Sequence, residues 1–139
     1  MRFMVIVPAT RESEAGLLPD AKILDTMTRF NEELAKAGVL LAAEGLHPSA
    51  KGAQLTYDRG KVTVTDGPFA ETKELIAGFW LIQARSREEA IEWMRRAPMG
   101  GGFTLELREV FESADFGAAR TAEVEAREGR IRAELARRK

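Results

Sequence analysis

The sequence predicts an α+β sandwich with an antiparallel sheet in the split βαβ arrangement. Three observations lead to this. Strand-like and helix-like segments follow one another as strand, helix, strand, hairpin, strand, helix, strand. Two of the segments carry apolar residues at helical spacing along one stripe. Two of the strands are apolar on both alternating faces, which marks strands covered on two sides at the centre of a sheet.

Phe3-Met4-Val5-Ile6-Val7 is the first of those strands, and Pro8, which has no amide to donate, ends it. Residues 9–19 mix charge with Gly16 and Pro19 and are expected to form a loop, with Leu17 and Leu18 folding back onto the domain. From Asp20 onward, Ile23, Met27, Phe30, Leu34 and Ala37 recur at intervals of four and three, drawing one stripe along a helix. Gly38 follows as a left-handed cap. Residues 39–43 read as a short strand, and residues 44–52, with Gly45, Pro48 and Gly52, as a polar turn.

Gln54-Leu55-Thr56-Tyr57 and Lys61-Val62-Thr63-Val64-Thr65 flank Asp58-Arg59-Gly60, predicting a hairpin in which Gly60 takes the positive φ. Both strands alternate apolar with polar, so they are expected to be half exposed or at an edge. Residues 75–84 are apolar on both faces and form the second central strand. Ser86 with Glu89 reads as a capping box, and Ala90, Ile91, Met94 and Ala97 give the second helix its apolar face. Pro98 and three glycines at 100–102 stop it, after which residues 103–108 alternate strictly as a last strand.

This order is that of a ferredoxin-like domain. Its two helices can cover only one face of the sheet, yet the central strands are apolar on both. The other face would leave a large apolar patch in water. A second copy is the simplest cover, so a homodimer joined through the helix-free sheet face is expected.

With 139 residues and 45% hydrophobic content, the chain has the size of one domain with a core of its own. Residues 1–117 make that domain. Residues 118–139 change in character, with seven Lys or Arg against four Glu, and form a charged C-terminal helical extension. Val124, Ile131 and Leu135 give it only a thin stripe, interrupted by Gly129. The overall net charge of -1 argues against general attraction to nucleic acid or to an anionic membrane. Without cysteine there are no disulfides or thiolate metal sites, and a single His makes a dedicated zinc site unexpected. No metal and no cofactor are predicted. The apolar start is too short for a secretion signal, and a cytoplasmic location is expected.

The most unusual stretch is Asp66-Gly67-Pro68-Phe69-Ala70-Glu71-Thr72-Lys73-Glu74, which joins the hairpin to the second central strand. It resembles the signature of the YCII-related proteins, in the branch named for its DGPF motif. Asn31-Glu32-Glu33-Leu34, Ala37-Gly38-Val39-Leu40 and Glu44-Gly45-Leu46 are similar to that family's helix end and following strand. The resemblance covers about residues 1–117. It implies a ferredoxin-like domain that dimerises into an α+β barrel, and a link to an extracytoplasmic-function sigma factor as a regulatory alternative to ligand binding. The smaller YCII branch pairs a His near the start of the first helix with an Asp before a Pro after the second. This chain has no His in that helix and has Ala97 before Pro98, so the dyad does not carry over.

The candidate site residues gather around the motif. Asp66 and His47 are the candidate proton-transfer groups, since His47 alone has an unperturbed pKa near neutrality. Asp66 serves equally as the cap of its own turn. Glu44, Glu71, Lys73 and Glu74 supply charge, and Phe69 and Trp80 supply apolar walls for one polar pocket per subunit. Carboxylates opposing Lys73 suit a small hydroxylated or zwitterionic ligand. No Ser-His-Asp arrangement, phosphate loop or metal-ligand spacing is present.

Overall fold

The computed structural model describes residues 1–70 and 74–138. The chain runs β1 (Arg2–Pro8), α1 (Arg11–Glu14), α2 (Ala21–Lys36), β2 (Leu40–Gly45), β3 (Ala53–Asp58), β4 (Lys61–Asp66), β5 (Ile76–Gln83), α3 (Arg87–Met94), β6 (Glu106–Glu109) and α4 (Ala122–Arg137). Four strands form an antiparallel sheet in the order β2-β5-β1-β6, the ferredoxin-like order, with β5 and β1 in the middle. These are the two strands whose sequence is apolar on both faces.

Directly paired residues of antiparallel strands share a face. One row across the inner face is Ala43, Trp80, Val5 and Leu107; another holds Ile82 and Phe3. Phe30 and Leu34 of α2 and Ala90 of α3 close over these rows to make the core. The Phe30 ring meets Trp80 edge to face, with centroids 5.9 Å apart. On the other side Met4, Ile6, Phe79 and Leu81 are only half-buried.

Helix α2 starts where Asp20 accepts from the Ile23 amide and ends at Gly38, whose φ of 73° only glycine adopts readily. Ser86 caps α3 by accepting from the Glu89 amide. Glu89 turns away from the reciprocal bond of a capping box and accepts instead from the Arg85 amide.

Several expectations are corrected. Residues 9–19 are not all loop: Thr10 and Ser13 form a reciprocal cap around the single turn of α1. Leu17 and Leu18 do not fold back but stand 65% and 89% exposed. The hairpin β3–β4 is not at an edge of the main sheet but forms its own two-stranded sheet, turned at Arg59 and Gly60, both with positive φ. Its directly paired Leu55/Val64 and Tyr57/Val62 are more than half exposed. The last strand begins at Glu106, not at residue 103, because only residues 106–109 reach β1.

A 3₁₀ segment (Ser113–Ala119) leads into α4, where Arg120 pairs with Glu128 at 2.9 Å and Glu125 at 3.3 Å. Val124, Ile131 and Leu135 are exposed. Among the described residues no helix is long and apolar enough to cross a membrane.

Candidate functional site

The inner face of the sheet is filled by large side chains except at one end. There the row across β2, β5 and β1 is Gly45, Gly78 and Val7. Two glycines in register remove the side chains that would reach α2. A cavity of about 360 Å³ lies in that place, between the row and the first turns of α2.

The two glycines play different parts. A Cβ on Gly78 would come within 2.7 Å of the Glu44 carbonyl oxygen, so the close approach of β2 excludes any side chain. A Cβ on Gly45 would meet nothing within 4 Å. The walls are Pro19, Ile23 and Met27 on one side and Val7, Ala43 and Trp80 on the other. Asn31 adds the polar side chain, and the Trp80 indole N–H donates to Asn31 Oδ1 at 2.7 Å. Glu44, paired with Phe79, borders the cavity by its backbone and has its side chain on the opposite face.

Of the predicted site residues, Trp80 walls this cavity with its side chain, whereas Glu44 borders it by its backbone and has its side chain on the opposite face, beside Phe79. Trp80 is 4% exposed and forms part of the core as well as the wall. His47 is exposed and precedes a 3₁₀ turn (Ser49–Lys51). Asp66 is exposed at the base of the hairpin, opposite Ala53. Its carboxylate accepts no hydrogen bond from the described residues, and Glu74 lines a different recess, with Ile6, Pro8 and Glu106. Glu71 and Lys73 lie outside the described residues.

The half-buried Phe69 is held by its backbone. Its amide donates to Ser49 Oγ at 3.0 Å, while the Gly67 amide donates to the Gly52 carbonyl at 3.0 Å. Ser49 in turn gives its amide, at 3.0 Å, and its hydroxyl to the Glu14 carboxylate. The turn that opens the motif, in which the Gly67–Pro68 peptide is cis, is therefore tied through Ser49 to α1.

The model of the YCII-related domain matches residues 1–114. The chain belongs to the YCII-related family. An uncharacterized protein of Rhizobium meliloti (strain 1021) is 36% identical to it over 76 residues, which is 55% of this chain and 61% of that protein. Among solved structures it is similar to the 5-chloro-2-hydroxyhydroquinone dehydrochlorinase of Burkholderia phenoliruptrix AC1100, in complex with 2,5-dihydroxybenzoquinone. That likeness has a TM-score of 0.44 at 16% identity, over 81% of this chain and 95% of the other.

Sequence reasoning passed over four residues that organise this YCII-related domain. Gly78 interrupts a strand, a local sign of close backbone approach, and Gly45 ends one, but their pairing depends on register. Asn31 lies four residues after Met27, so a polar group shares the edge of an apolar stripe. Ser49, within a polar turn, carried no distinguishing signal.

Proposed function

We propose that this YCII-related protein binds a small molecule in the cavity beneath α2, and that it works as a homodimer joined through the helix-free sheet face. The observation that carries the reading is the Gly45–Gly78–Val7 row. Two strand glycines leave an open pocket of about 360 Å³ between helix and sheet. That volume falls in the range of ligand pockets, and so does the composition, apolar walls with few polar groups. Among the described residues the side chains that face this pocket are apolar or amide, so binding is better supported than multi-residue acid–base catalysis. Within the family, the Asp66-Gly67-Pro68-Phe69 turn supports assignment to the DGPF branch. The half-buried Met4, Ile6, Phe79 and Leu81 support the dimer.

A thermal-shift screen of small metabolites tests the binding reading, since a ligand at 100 times its dissociation constant stabilises by about 2.7 kcal/mol. Gly45→Leu should fill the cavity without a backbone clash, keep the unfolding transition and abolish every such shift. A hit that binds the Gly45→Leu variant unchanged would put the site elsewhere and end this reading.

A further inference from the structure

We infer that the cavity selects small, neutral, largely apolar molecules bearing a hydrogen-bond acceptor oxygen, and that the side-chain amide of Asn31 is the donor that recognises it. This rests on the proposed cavity site and names the class of its ligand.

The argument starts from the indole. Trp80 Nε1 can only donate, so the Asn31 atom 2.7 Å away is the amide oxygen. That bond fixes which way the amide faces and leaves its NH₂ on the other arm. No described residue accepts a hydrogen bond from Asn31 Nδ2. Among the described residues, no buried side-chain nitrogen or oxygen lacks a partner, so this nitrogen reaches open space. Asn31 lines the cavity, and the cavity is the open space beside it.

The donor is also held still. Trp80 is 4% exposed, and Phe30 packs against its ring edge to face. The indole therefore cannot swing away, and the amide keeps its aim without a cost of ordering on binding. Around it the walls are Ile23, Met27, Val7 and Trp80, which favour an apolar body. A ligand without an acceptor would strip water from Nδ2 and return nothing, whereas a carbonyl oxygen would satisfy it. Among the described residues no cation lines the cavity, so nothing there offsets the desolvation of an anionic acceptor, and the neutral oxygen is the better match.

Acetophenone, ethylbenzene and benzoate are matched probes, titrated into the full chain while the Asn31 side-chain amide signals are followed by NMR. Acetophenone should bind roughly tenfold tighter than ethylbenzene, the worth of one net hydrogen bond, should shift the Asn31 NH₂ signals, and should outcompete benzoate. Asn31→Asp keeps an acceptor for Trp80 but removes the donor, and Asn31→Leu removes both. Each should bring acetophenone down to the level of ethylbenzene. Equal binding of the two neutral probes to the native chain, with both lost in Gly45→Leu, would overturn the inference while leaving the cavity reading intact. Binding of neither probe, or binding that survives Gly45→Leu, would sink both together.

Discussion

The backbone amide of Phe69 donates to the hydroxyl of Ser49 at 3.0 Å, so the Asp66-Gly67-Pro68-Phe69 turn is fastened to a residue twenty positions earlier. The same Ser49 binds the Glu14 carboxylate through its amide and its hydroxyl. One small side chain thus joins α1, the 3₁₀ turn and the motif.

Ser49→Ala should leave the Phe69 amide without its acceptor, at a cost of about 1–3 kcal/mol. Urea unfolding should show the midpoint falling with its slope unchanged, and hydrogen exchange should accelerate at Phe69. Native-like protection of that amide in the variant would show that the fastening is dispensable.

Gly67→Ala should be far more damaging than Gly45→Ala. A Cβ at residue 67 would lie 1.8 Å from the Ser49 carbonyl oxygen and 2.6 Å from its carbon, both backbone atoms that must move, whereas residue 45 has open space. A loss of about 1–3 kcal/mol, as for overpacking, is expected at 67. At 45 the change should be a few tenths of that or less. Calorimetric melts of the two variants showing equal losses would contradict this.

Glu89 should make the start of α3 sensitive to acid. The Arg85 amide, donating at 2.8 Å, and then the Arg85 guanidinium hold its carboxyl below the usual carboxylate range. A lowered folded-state pKa contributes stability that is present above the unfolded-state value and disappears as pH falls through the lowered one. The native chain should therefore melt above Glu89→Gln at neutral pH, and the two should converge in strongly acid buffer. Parallel curves over the whole range would remove Glu89 from the account.

The helix-free sheet face should join two copies. Light scattering should give twice the 15.4 kDa chain mass for the native protein and a single chain for Leu81→Lys, which places a charge among Met4, Ile6 and Phe79. A native chain that scatters as a monomer at micromolar concentration would rule the dimer out.

Most of the sheet was legible because its signals are local. Two-sided apolarity marks β1 and β5 as central, Gly38 ends α2, and Gly60 turns the hairpin. The cavity was not legible, because it depends on Gly45 lying opposite Gly78, a register relation between residues thirty-three positions apart. Trp80 was picked out as a companion of the motif, yet it belongs to the face beneath α2, while Glu44 pairs with Phe79 on the opposite face. The anchoring of Phe69 escaped notice because an isolated Ser in a polar turn looks the same whether or not it holds another loop.

Strands β2 and β5 lie side by side although residues 46–75 intervene, and the Leu46 amide donating to the Ala77 carbonyl at 2.8 Å closes the gap at its base. Among the described residues beyond that closure, β3 and β4 form their own sheet outside the four-stranded one. The entropy of closing a flexible loop grows only logarithmically with its length, about 0.6 kcal/mol for each doubling. The excursion is therefore a place where the chain can gain or lose residues at little cost to the sheet. The exposed Arg59–Gly60 tip is a natural point of insertion for a tag or a reporter, remote in sequence from every residue that walls the cavity.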